Sequence, residues 1–189
     1  MNIFVLSTGR CGSMTLDKFC KHITNYTSAH ESRNNLDFKY PPNHIEIDNR
    51  LSWFLGRLDK IYGDDAFYVH LKRDDLKVAK SYQNRFYYKR GIALGYKYNL
   101  LSTKARNTQS DFDIMVDYCN TVNDNISLFL KDKSNVCMIE TENFKDGAVK
   151  FWDLINAQGN LESALKEFDI KYNPSNTSII KKIKNIINR

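Results

Sequence analysis

The residues best suited to chemistry lie near the start of the chain, in FVLSTGRCGSMTL, Phe4 to Leu16. The apolar run Ile3 to Leu6 predicts a buried strand, Ser7 to Gly12 a small polar turn, and the spacing of Leu16, Phe19 and Cys20 a helix. A strand, a glycine-containing turn and a helix together aim free backbone N–H groups at a phosphate. Gly9 and Gly12 permit the tight turn and close backbone approach. Ser13 and Thr15 offer hydroxyls, and Arg10 offers a fixed planar cation for phosphate or sulfate oxygens. A Walker A loop is excluded, because only Arg10 and Cys11 separate the glycines and no lysine follows Gly12. The chemistry read here is the holding of an anion without the usual nucleotide–magnesium grip. Cys11 reads as a small loop residue, since no base adjoins it to make a nucleophile.

A second constellation is HLKRDDLKVAKSYQNRF, His70 to Phe86. Arg73 closes a predicted strand, and Ser81 falls eight residues later, about two turns into the following helix. Both side chains can reach one phosphate lying beside the strand–helix corner. Two separated anion sites on one sheet edge suit a nucleotide with phosphates at both ends of its ribose. His70 itself reads as a satisfied core or edge histidine.

These groups need elements to position them. Strands are expected at Ile3–Leu6, at Asn25–Ala29 leading into His30 and Glu31, at Ala66–Leu71 and at Asn135–Glu140. Ile47, Leu51, Phe54, Leu55 and Leu58 recur at helical spacing and predict one helix from about Glu46 to Tyr62. Further helices are expected after Asp74 or Asp75, over about Phe112–Leu130, and over Phe144–Ile155 and Leu161–Phe168. Arg33 to Asn43, with Pro41-Pro42, reads as a loop, and Tyr87–Gln109 takes no firm element. Strands alternating with helices call for an α/β fold of three layers, a mainly parallel sheet with helices on both faces. Ligands in such sheets bind beyond the carboxyl ends of the strands. That rule sets the Gly9–Gly12 turn, His30, Glu31, Arg73 and Glu140 along one edge. One domain over residues 1–175, followed by a basic tail over 176–189, accounts for the chain.

At this point the sequence resembles the sulfotransferases that use 3′-phosphoadenosine 5′-phosphosulfate (PAPS). Arg10-Cys11-Gly12-Ser13 matches the family's first turn in order, and Arg73 with Ser81 reproduces the spacing of its second motif. Val136 to Gly159 looks like its later strand, acidic turn and long helix. The resemblance implies a P-loop NTPase-like sulfotransferase fold. It implies that Gly9, Arg10, Cys11, Gly12, Ser13, Met14 and Thr15 hold the 5′-phosphosulfate, and that Arg73 and Ser81 hold the 3′-phosphate. It also implies PAPS as donor, 3′-phosphoadenosine 5′-phosphate (PAP) as product, and no metal. Three departures stand out. Met14-Thr15 replaces an aromatic residue that stacks on adenine, and Glu140-Thr141-Glu142 stands where a Tyr is common. The Arg-Lys-Gly element near the C-terminus is absent, with Lys89-Arg90-Gly91 a displaced substitute.

Sulfuryl transfer requires in-line geometry, charge stabilisation on the leaving group and a base for the acceptor. Arg10 is expected to neutralise the leaving group, with Glu31 the favoured base and His30 the second choice. Asp48 and Arg50 are weaker candidates for orienting the acceptor. That acceptor is expected to be a small molecule, carbohydrate or lipid, within a pocket from Arg33–Arg50 and Tyr82–Arg106. Tyr82, Phe86, Tyr87, Tyr88 and Tyr96 serve there either as a stacking surface or as core. A net charge of +6 suits an anionic ligand but equally RNA or a membrane surface. A degenerate P-loop kinase and a nucleic-acid-binding domain therefore remain as alternatives, although no nucleic acid is the favoured expectation. Four cysteines without a C-x-x-C pair suggest neither zinc nor a disulfide framework. The absence of a membrane-length apolar window and of a leader ahead of the first strand leads to the expectation of a cytoplasmic protein.

Overall fold

The computed structural model describes residues 1–33, 36–84 and 91–172. Its centre is a five-stranded, wholly parallel sheet: β1 (Ile3–Leu6), β2 (Thr27–His30), β3 (His44–Ile47), β4 (Phe67–Lys72) and β5 (Val136–Glu140). The order across the sheet is β2-β3-β1-β4-β5. The helices are α1 (Ser13–Cys20), α2 (Leu55–Tyr62), α3 (Asp75–Gln83), α4 (Ile92–Gly95), α5 (Thr103–Thr108), α6 (Asp111–Leu130), α7 (Phe144–Leu154) and α8 (Leu161–Lys166). They cover both faces of the sheet, as the alternating pattern requires. None of the described helices is long and apolar enough to cross a membrane.

β1 is the central strand, and all four of its residues are fully buried, which is why it reads as an unbroken apolar run. The chain leaves it through α1 to reach the edge strand β2, returns through β3, and then crosses to β4 on β1's other side. Connections thus diverge around β1, and a crevice forms at its carboxyl end. Leu6 and His70 are register partners, so the turn after β1 and the corner after β4 emerge side by side.

The helix expected over 46–62 is corrected to three elements: strand β3, a 3-10 turn at Asn49–Trp53, and α2. β3 carries polar side chains at His44 and Glu46, yet both are buried. Burial of these groups is offset by mutual bonding. The Glu46 carboxylate meets His44 Nε2 at 3.1 Å and accepts from the Ser32 N–H at 2.9 Å. His44 Nδ1 in turn lies 2.8 Å from Thr27 Oγ1. Asp48 ends the strand by capping the 3-10 turn, accepting from Arg50 N at 2.8 Å. The apparent period from Ile47 to Leu58 therefore spans a strand end, a tight turn and a helix start. The 176–189 tail lies outside the described residues, and so do Phe86–Arg90.

Candidate functional site

The turn after β1 is built from backbone conformations that most residues resist. Gly9 and Gly12 have φ of 78° and 80°, and Arg10 between them has φ 59°. A Cβ on Gly9 would lie 2.4 Å from the Tyr82 hydroxyl, and one on Gly12 would lie 2.7 Å from Phe144 Cε1. Both sites therefore demand glycine. The turn is tied down by its neighbours. The Thr8 carbonyl accepts from Tyr82 on α3 and Tyr118 on α6, each at 2.7 Å. Ser7 exchanges two 3.1 Å bonds with the Ser52 hydroxyl. The Cys11 thiol points into the core, 3.0 Å from Thr8 Oγ1, and burial pushes its pKa up to about 11. It is thus a packed thiol and no nucleophile.

Against this frame lies a cavity of about 430 Å³. Arg10, Gly12, Ser13, Met14, Thr15, Arg73 and Ser81 all line it. The two segments found separately in the sequence are physically joined there. Arg10 Nε donates to Ser81 Oγ at 3.2 Å, and Arg73 Nη1 donates to the Arg10 carbonyl at 3.1 Å. α1 starts at the cavity with Gly12 as its N-cap, no side-chain cap and no acidic residue in its first turn. Its first N–H groups and the positive end of its dipole thus face a chamber lined by cations and hydroxyls, with no carboxylate among the described lining residues. The volume lies within the roughly 300–1,000 Å³ typical of small-molecule sites.

Gly9 and Cys11 shape the turn and do not line the cavity. His30, at the end of β2, shares a 3.0 Å hydrogen bond between its Nε2 and Ser13 Oγ, so it touches the cavity wall. Glu31 is exposed, has φ 51° and lies outside the lining. Asp48 and Arg50 form a buried-to-surface ion pair at 2.6 Å, and Arg50 Nη2 also donates to the Glu31 and Arg33 carbonyls. That hydrogen-bonded carboxylate raises the Arg50 pKa, and both groups serve the loop. Tyr82 holds the turn and packs half-buried against the core, and Tyr96 is buried with its hydroxyl on Asp117 and Thr121 at 2.5 and 3.2 Å; neither lines this cavity. Phe86, Tyr87, Tyr88, Lys89 and Arg90 lie outside the described residues. His70 is buried, with Nε2 3.0 Å from Asn123 Oδ1, and Asn123 passes a 2.7 Å bond to Asp75.

The sequence reading missed five lining residues: Lys77, Lys80, Asn84, Lys171 and Tyr172. Lys77 and Asn84 stand four before and three after Ser81, a helical stripe that periodicity could have extended from Ser81. Lys171 and Tyr172 arrive from the far end of the chain, and no local pattern announces them.

Neither a protein-family model nor a curated protein matches this sequence. Among solved structures the chain is similar to the sulfotransferase domain from the curacin biosynthetic pathway, with a TM-score of 0.62 and 13% identity. The match covers 86% of this chain and 75% of that one. The chain shares the fold of that domain. At that identity the likeness establishes architecture, and chemistry has to be argued from the cavity. In this chain the Arg10 turn and the Arg73–Ser81 corner occupy the carboxyl edge of β1 and β4, where the crevice lies.

Proposed function

We propose that this chain is a sulfotransferase that takes its sulfuryl group from PAPS and passes it to a hydroxyl or amine. One observation carries the reading. Arg10, Arg73 and Ser81, which the sequence separates by up to 71 positions, form a continuous hydrogen-bonded chain along one cationic cavity. A nucleotide phosphorylated at both ends of its ribose needs two anion grips, and the cations and hydroxyls along this cavity support that reading. The residues fit the donor. The uncapped start of α1 with Arg10 and Ser13 suits the 5′ end, and Arg73 with Ser81 suits the 3′-phosphate.

PAPS, when bound, supplies an activated sulfuryl group on a phosphate leaving group. Arg10 and the α1 amides stabilise the charge that gathers on that leaving phosphate. With PAPS and an acceptor bound, the acceptor's oxygen or nitrogen would displace the phosphate from sulfur, and the acceptor's proton would have to go to a base. Glu31 and His30 are the candidates for that base, and the 3.0 Å contact of His30 with Ser13, a lining residue, supports His30.

The test is calorimetric titration with PAP beside ADP and ATP–Mg²⁺, on wild type and the Arg73→Ala/Ser81→Ala variant. Loss of two hydrogen bonds to a charged phosphate, about 3 kcal/mol or more together, weakens PAP about 100-fold or more. A preference for ATP–Mg²⁺ would move the chain to the kinases. With any acceptor found in a panel of hydroxyl and amine compounds, His30→Ala abolishes transfer while retaining PAP binding. Unimpaired transfer by that variant removes His30 from the mechanism.

A further inference from the structure

The cavity has two side walls of different origin. One is the α3 stripe of Lys77, Lys80, Ser81 and Asn84. The other begins with Met14 and Thr15 on α1 and is completed by Lys171 and Tyr172, which lie more than 150 positions further along the chain. Tyr172 is the one aromatic ring among the described lining residues. Every other lining side chain is cationic, hydroxylic, an amide or a thioether. A ligand that carries a flat heterocycle between or beside its phosphates finds a π face at Tyr172 and nowhere else on the described wall.

That ring is held deliberately by its surroundings. The Tyr172 hydroxyl donates to the Glu167 carboxylate, whose other oxygen meets His22 Nε2 at 2.9 Å. His22 immediately follows the last turn of α1, the helix whose first turn opens onto the cavity. Phe168, beside Glu167, packs on Phe19 of α1 at 5.4 Å between ring centroids and on Phe144 at 4.7 Å. Phe144 in turn lies under Gly12. The segment from Glu167 to Tyr172 is therefore keyed to α1 at both of its ends: through Glu167 and His22 beyond the C-terminus, and through Phe168 and Phe144 beneath the Gly12 turn. These two attachments set Tyr172 at the rim of the anion site, while Ile170, between Phe168 and Tyr172, is half exposed and adds little to the core.

We infer that Lys171 and Tyr172 are the base-side wall of the donor site, an inference that rests on the PAPS reading above. The Tyr172 ring takes the face of the purine, Lys171 takes a phosphate oxygen, and His22 with Glu167 are positioning residues that fix the ring. The wall makes the site selective for a nucleotide over a bare bisphosphate. It also supplies an aromatic contact that Met14 and Thr15, at the end of the first turn, do not.

The experiment titrates PAP and ribose 3,5-bisphosphate, which keeps both phosphates and lacks the base, into wild type, Tyr172→Leu, Tyr172→Phe and Lys171→Met. Tyr172→Leu weakens PAP about tenfold or more and leaves the ribose bisphosphate within about twofold. Tyr172→Phe keeps the ring and stays within about threefold for both ligands, and Lys171→Met weakens both alike. Unchanged binding of the base-free ligand doubles as proof that the Tyr172→Leu variant is folded. Equal effects of Tyr172→Leu on the two ligands, or none on either, overturn the wall while leaving the donor site standing. Failure of wild type to bind PAP at all overturns both readings.

Discussion

The Thr8 carbonyl offers a sharp test of how the anion-binding turn is held. Thr8 is 1% exposed, and its carbonyl oxygen accepts two tyrosine hydroxyls, Tyr82 and Tyr118, each at 2.7 Å. Replacing either tyrosine by phenylalanine deletes one hydroxyl and keeps the ring, so the edge-to-face packing of the pair at 5.4 Å persists. A single deletion leaves the carbonyl satisfied by the other hydroxyl and costs about 1 kcal/mol, or roughly 2–4 °C in Tm for a chain of this size. The double deletion strands a buried acceptor and adds a desolvation penalty of about 1–3 kcal/mol. The cycle therefore shows a coupling of about 1–2 kcal/mol, with the double variant worse than the sum of the singles. Urea unfolding of wild type, Tyr82→Phe, Tyr118→Phe and the double variant measures it directly. Additivity within about 0.5 kcal/mol refutes the shared-acceptor account. Because the same carbonyl anchors the residues just before Arg10, the double variant also binds PAP more weakly than either single variant.

Two further predictions follow from burial. The Cys11 thiol, with its pKa pushed up to about 11, is protonated and enclosed at pH 8, so iodoacetamide leaves it unmodified in the native protein and labels it in urea. Mass spectrometry showing native labelling at the unfolded rate contradicts that placement. Burial also lowers the pKa of His70 below its ordinary 6.5. The unfolded chain then binds that proton more readily, so the contribution to stability is fully present above about pH 6.5 and is lost as pH falls below it. His70→Gln, which keeps a partner for Asn123, flattens the drop in urea midpoint between pH 7.5 and 5.5, and an unchanged drop assigns the pH dependence to other groups.

What the sequence disclosed about this molecule follows the range over which each feature is encoded. The turn from Ser7 to Gly12 was legible because its signals are contiguous: an apolar strand, two glycines that a Cβ would jam against Tyr82 or Phe144, and a helix period. The Arg73–Ser81 spacing was legible for the same reason, since both residues flank one strand–helix corner. β3 was hidden because its His44 and Glu46 look like surface residues until Thr27 and Ser32, on and beyond the neighbouring strand, satisfy them. That His30 meets Ser13 while Glu31 is exposed was beyond a local reading, because successive residues at a strand end diverge and Glu31 turns into a left-handed conformation. The second cavity wall was furthest out of reach, as it depends on a contact between Glu167 and His22 across 145 positions. The joining of the two anchors has a simpler origin. Once β1 and β4 pair in parallel with Leu6 opposite His70, Arg10 and Arg73 leave the sheet four and three residues later on the same edge. Ser81, two turns into α3, is then carried back over the turn to meet Arg10. A single strand register thus converts two local motifs into one site. A shift of that register by one residue would turn both β4 faces inside out and separate Arg10 from Ser81.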